Sequence, residues 1–254
     1  MNGYLAFLKK EISEYAKTYK LFIMLVLFAV LGIANPLVAK LTPDILKSLA
    51  TDGVTIAIPE PTDYDAWKQF FKNATQVGLV VMAILSSGVM SSELTKGTLI
   101  NLLTKGLSRS VVILSKYTCM VLVWTVSVAL CFGLTYGYTS YLFPESKASN
   151  LLFSVFCLWL FGLFLQAAIM VSSVLANTGS GCLLITGAIV AACMLVNMIP
   201  AAQKYNPISL AAQSTALITN AAQPSSLSGA IPVSCLLSLF FVLLSVMIFR
   251  KKQL

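Results

Sequence analysis

The sequence predicts an all-α polytopic membrane protein, and three observations carry that prediction. Of its 254 residues, 58% are hydrophobic and only 10% are charged, whereas an ordinary soluble domain carries about 25% charged residues. The apolar residues gather into six runs, each near or above the ~20 helical residues that cross a bilayer. The charged residues flank these runs and form no patch, so the net charge of +8 does not describe a nucleic-acid surface. The chain contains no histidine, which excludes Ser–His triads, histidine general bases and His-ligated metal sites. Its six cysteines fall in or beside the apolar runs without a C-x-x-C pair, and they read as small buried side chains.

Residues 1–20 form the first element. Leu5, Leu8, Ile12, Tyr15 and Tyr19 recur at spacings of three and four, one apolar stripe on a helix. Lys9, Lys10, Glu14 and Lys17 occupy the other face. Such a helix is expected to lie flat in the headgroup layer. The transmembrane domain then fills residues 21–254. Its spans are expected at 21–39, 77–92, 111–143, 151–175, 182–199 and 230–249. The third is longer than a crossing requires, and Gly133 and Gly137 are where it is expected to bend. The same two glycines make a G-x-x-x-G pair suited to close helix approach.

Two outer excursions and one inner loop connect the spans. In the outer loop, residues 40–72, Thr42-Pro43-Asp44 has the chemistry of a helix start, and 54–58 alternates briefly like a strand. Thr62 and Asp63 read as the cap of a helix that carries Trp67, Phe70 and Phe71 towards the second span. Those aromatics are expected to mark the outer interface. The outer hairpin, residues 200–229, has a turn at Asn206-Pro207 and a short helix over 208–222. It is too polar to span, and is expected to lie re-entrant or interfacial at the outer leaflet.

Six spans put both termini on one side. With the termini inside, eleven basic residues face three acidic ones on that side, and six face six outside. The whole charge excess then lies on one face, which the positive-inside rule assigns to the cytoplasm.

The inner loop, residues 93–110, is the most informative stretch. Thr98, Leu99, Leu102 and Leu103 make one apolar face of a short helix bounded by Gly97 and Gly106. Such a face needs a cover, either a partner or the chain's own bundle. Glu93 is expected to pair with Lys96, Arg109 or Lys116 and so fix the loop's angle to the bundle.

Glu93 closing the second span, then Gly97-Thr98, Leu102-Leu103, Ser108-Arg109 and Lys116, resembles the membrane subunits of ABC-2-type transporters. The order of elements resembles that family along essentially the whole chain. One departure is Gly106-Leu107, where the family often has proline before the Ser-Arg pair. The resemblance implies that this loop is a coupling helix docking on a cytoplasmic ABC ATPase, through Glu93, Lys96, Gly97, Thr98, Leu102, Leu103, Ser108, Arg109 and Lys116. It implies a bacterial cytoplasmic membrane, a second permease copy or a paralogue as partner, and a pathway between the two lined by the second and fifth spans. Met82, Leu85, Met194 and Met198 are the side chains those faces offer. Size and outer loop resemble the bacterial branch that exports amphipathic peptide toxins such as phenol-soluble modulins.

The chain has no G-x-x-x-x-G-K-[ST] loop, so it is expected to hold no cofactor and catalyse nothing alone. ATP and Mg would be bound by the partner ATPase. Two other readings compete. An ion-coupled transporter would place ionisable groups at mid-membrane, and the six runs contain none in their interiors. A non-transporting membrane partner or immunity protein has the same composition, and only a docked ATPase separates it from an exporter.

Overall fold

A computed structural model describes residues 2–49, 60–95, 97, 104, 106–145, 148–176 and 178–252. Among these residues the chain is helical and has no strand. Six helices are long and apolar enough to cross a membrane: Lys20–Ile45, Asp63–Glu93, Arg109–Leu142, Leu151–Leu175, Gly179–Asn197 and Pro224–Lys251. We number them spans 1 to 6. The helix Asn2–Lys17 precedes them. Tyr4 donates to Thr118 at 2.9 Å and Arg109 donates to the Lys252 carbonyl at 2.6 Å. These contacts bring both termini to the face where span 3 begins, here called the termini face; the opposite one is the far face.

Span 4 is the centre of the bundle, with 67% of its most apolar stretch buried against 11% for span 5 and 17% for span 6. Its packing against spans 1 to 3 is set by two glycines. The Phe28 and Trp124 rings meet edge to face at 5.7 Å. A Cβ on Gly78 would come within 2.6 Å of Phe28, and one on Gly162 within 2.2 Å of Trp124. The aromatic pair is therefore clamped between the backbones of spans 2 and 4. Trp124 Nε1 donates to the Trp159 carbonyl and Trp159 Nε1 to Thr125 Oγ1. Both indole N–H groups are thus satisfied within the bundle, as buried tryptophans require.

Span 1 corrects one expectation. Thr42-Pro43-Asp44 starts no new helix, because a single helix runs Lys20–Leu49 through Pro36 and Pro43. Proline removes the hydrogen bond to the carbonyl four residues earlier, which for Pro36 is that of Gly32. Thr135 Oγ1 of span 3 donates to that carbonyl at 3.0 Å. Gly32 also lets the two spans meet, since a Cβ there would fall 2.9 Å from Leu134 Cβ. The strand-like stretch at 54–58 lies outside the described residues.

Span 2 begins on the far face with a capping box: the Thr62 backbone N–H donates to Asp65 Oδ2 at 3.0 Å. The helix passes through a π-helical stretch, Ala74–Gly78, before Leu79–Ser86. Trp67, Phe70 and Phe71 are buried, so they do not mark the interface. They pack against each other and Phe132 at ring distances of 5.0–6.5 Å. Span 3 is one unbroken helix from Arg109 to Leu142. No atom of the described residues comes near a Cβ built on Gly133 or Gly137, so among them this glycine pair closes no contact.

In the hairpin of residues 200–229, the stretch 208–222 forms two short helices, Ile208–Ala212 and Ser214–Ile218, divided at Gln213 where a single helix was expected. Leu210, Leu217, Ile218 and Leu227 are fully buried, seating the hairpin on span 4. Amide side chains satisfy its turns. Asn206 Nδ2 donates to the Cys193 carbonyl, and Ser209 Oγ lies within hydrogen-bond reach of Asn197 Oδ1 and the Gln203 carbonyl. On the same face Asn150 and Asn220, both in the left-handed region, hydrogen-bond each other, and Asn220 also donates to Ser149 Oγ. Asparagine tolerates that backbone region better than most residues.

Candidate functional site

At the termini face a turn at Ser87–Met90 ends the long helix of span 2, and the short helix Ser91–Thr95 carries Glu93 back into the bundle. Span 3 starts beside it. Ser108 is the N-cap, its hydroxyl accepting from the Val111 N–H, which orients the helix on which Lys116 lies two turns further in. Against both packs the N-terminal helix. Its buried face is Phe7, Glu11 and Tyr15, whereas Leu5, Ile12 and Tyr19 of the expected stripe are exposed. The helix is therefore bound to the bundle along a face that includes a carboxylate.

Those three elements meet in a charge cluster. Lys116 Nζ donates to both oxygens of Glu11, at 3.0 and 2.9 Å, and pairs with Glu93 Oε2 at 2.9 Å. All three side chains are buried. Half-exposed Lys10 closes the cluster from outside, pairing with Glu14 at 2.7 Å, with Glu11 at 3.0 Å and with Glu93. The expected pairing of Glu93 with a nearby cation is present, and Glu11 and Lys10 join it. Sequence reasoning missed these two because it placed Lys10 on the polar face of the first helix and assigned Glu11 to neither face. A glutamate one turn from both Phe7 and Tyr15 was the available signal.

Burial alone would lower the pKa of Lys10. The hydrogen bonds to Glu14 and Glu93, with the charges of Glu11 and Glu93, outweigh it and hold the ammonium above the ordinary lysine value. For Glu14, burial pushes upward, but hydrogen bonding to Lys10 and the Lys10 charge hold the carboxyl below its usual range. The carboxylates of Glu11, Glu14 and Glu93 lie within 4.8 Å of one another, close enough to share a cation; the ammonium groups of Lys10 and Lys116 already fill that role.

Breaking a buried pair costs about 3–5 kcal/mol because the surviving charge has no partner. The cluster therefore ties the first helix and the two ends of the 96–105 loop into one body. Gly97 and Gly106 bound that loop with φ of +66° and +91°, a backbone region that other residues resist. Lys96, Thr98, Leu102 and Leu103 lie outside the described residues, and Thr104 is exposed. Arg109 is not in the cluster. Its Nη1 donates to the carbonyls of Phe249, Arg250 and Lys252 at 2.8, 3.0 and 2.6 Å, neutralising the open carbonyl end of span 6. Lys252 Nζ does the same for the Val174 carbonyl at the end of span 4.

Of the four side chains expected along a pathway, only Met194 borders a large cavity. About 650 Å³ lies between spans 2, 4 and 5 under the far-face hairpin, bounded by Leu79, Ile84, Phe161, Val190, Met194 and Ala211 among others. Met82 is buried inside the bundle, its sulfur 3.2 Å from Gln166 Nε2. Leu85 borders the same interior position. Met198 is largely exposed at the end of span 5.

Six spans, a termini-face loop anchored by buried charge and a far-face hairpin define a multi-pass membrane component. The chain belongs to the ABC-2 family of transporter proteins, whose profile matches residues 5–254. It is also similar to an uncharacterised transmembrane protein of Bacillus subtilis (strain 168), YxlG, with 21% identity over all of this chain and 99% of that one. Membership makes the chain a membrane component of an ABC transporter, a class that normally works with a separate ATPase.

Proposed function

We propose that this chain is the permease subunit of an ATP-driven exporter. Both termini face the cytoplasm, and the 93–110 loop receives a cytoplasmic ABC ATPase that binds ATP and Mg. The observation that carries this reading is the buried Lys116 shared by Glu11 and Glu93. A loop that must transmit a push needs a stiff seat, and the cluster supplies one at both its ends. Gly97, Thr98, Leu102 and Leu103 form the docking element, with Lys96 beside it; Ser108 and Arg109 fix where it leaves and re-enters the bundle.

A second permease, the same chain or a paralogue, covers the outer face of span 5, the least buried of the six. The apolar cavity between spans 2 and 5 then lies beside the joint between copies. Its almost wholly apolar border suits an amphipathic or hydrophobic substrate, and an amphipathic peptide is our preferred cargo. The test is co-elution in detergent with the ATPase encoded beside this chain. Leu102→Asp with Leu103→Asp should abolish co-elution while the permease still inserts and folds. Undiminished co-elution of that variant would overturn the docking assignment.

A further inference from the structure

Deeper in the bundle than the charge cluster is a second polar position, surrounded by hydrocarbon. Gln166 of span 4 is buried, and its Nε2 donates to the Met120 carbonyl of span 3 at 2.9 Å. Its Oε1 has no hydrogen-bond partner among the described residues. Tyr15, on the N-terminal helix, points its hydroxyl into the same place; that oxygen lies beside Ser86 without a bond of normal geometry. Met24, Met82, Met120 and Trp124 complete the walls. Leaving a buried polar atom unpaired costs about 1–3 kcal/mol, and here two such atoms face one small space.

That space is a cavity of about 10 Å³. One water requires roughly 10–15 Å³, with two to four polar partners. Three are present. The chemistry on offer is an amide oxygen that only accepts and two hydroxyls that donate or accept. No charged side chain borders the position, so neither an ion nor a larger solute is matched by it. We propose that this position binds a single water molecule, which donates to Gln166 Oε1 and bridges it to the hydroxyls of Tyr15 and Ser86. The water pins the N-terminal helix to span 4 at the depth of the Phe28–Trp124 contact, one turn below Glu11.

Water-edited solid-state NMR of the full chain, labelled with 15N-glutamine and reconstituted in bilayers, tests this. The Gln166 side-chain amide should receive magnetisation from water at a level near that of an exposed glutamine such as Gln223, although it is buried. Ser86→Val, which fills the space with methyl groups, should reduce that transfer several-fold while the Gln166 resonance persists. Transfer at background level in the folded wild-type chain would overturn the proposal. So would a Tyr15→Phe variant that shifts the Gln166 resonance with no water transfer in the parent, because the hydroxyl and amide would then be bonded directly. Neither result depends on whether an ATPase docks.

Discussion

The two faces of this molecule fasten their loops in different currencies. At the termini face, Lys116 joins Glu11 and Glu93 in a buried ionic knot. At the far face, Ser149 and Asn150, just before span 4, are joined to Asn220 of the 200–229 hairpin by neutral hydrogen bonds. Neutral bonds can be lost one at a time, each for about 1 kcal/mol. A buried ionic knot cannot, since removing one member strands the others. The face proposed to receive force is thus the one whose parts yield together or not at all.

The sharpest way to break this contrast is Lys116→Met. It should destabilise the chain by about 3–5 kcal/mol, lowering the thermal midpoint in detergent by roughly 10 °C. Adding Glu11→Gln should restore part of that loss by removing one stranded charge. A loss no greater than that of a far-face variant would show that the knot is solvated. The matched far-face change is Asn220→Ala, expected to cost about 2 kcal/mol through its two side-chain bonds and its left-handed backbone, φ +56°. Asn220→Gly should cost less in the same melting measurement, because glycine adopts that backbone freely.

The smallest expected effect is in pH. Glu14 is held below its ordinary pKa, so its pairing contributes fully above the usual carboxylate range and fades as pH falls through the lowered value. Lys10 is held above its ordinary value; its contribution is complete below the usual lysine range and fades as pH rises through the raised one. Between about pH 5 and 9 neither titrates, and the midpoint should be flat. Because both side chains are about 40% exposed, the acid-side slope should amount to no more than ~1 kcal/mol. Lys10→Met should flatten it, and an unchanged slope in that variant would assign it elsewhere.

The spans were legible because crossing a bilayer is a property of composition over some twenty residues. All six overlap their expected positions and span 4 has the expected bounds, but span 2 starts at Asp63, fourteen residues before the expected 77. What was hidden depends on partners remote in sequence. Glu11 belongs to neither face of the first helix's pattern until Lys116, 105 positions away, is placed beside it. Trp67, Phe70 and Phe71 have the composition of an interfacial belt, and only the arrival of Phe132 from span 3 makes them core. Span 3 begins at Arg109, earlier than its apolar run, because the Ser108 cap and the knot neutralise polar residues that hydropathy counts against it. In the loop, Glu93 was readable as the partner of one of three cations, Lys96, Arg109 or Lys116, whereas the bonds of Arg109 to span 6 follow from no spacing.

The carbonyl of Gly32 has a consequence for how the chain is made. Pro36 deprives it of its helical partner, and its substitute donor, Thr135, is synthesised 103 residues later. At roughly 5–20 residues per second, the ribosome delivers that hydroxyl about 5–20 s after span 1 emerges. Until then span 1 carries an open acceptor that hydrocarbon cannot satisfy. It should wait in a hydrated or chaperoned setting instead of passing at once into lipid. Photocrosslinking of stalled nascent chains would show this as span 1 remaining beside the insertion machinery in chains stalled before span 3 is complete, and leaving it in longer ones. Release of span 1 into lipid in the shorter chains would mean that the carbonyl tolerates the delay unaided.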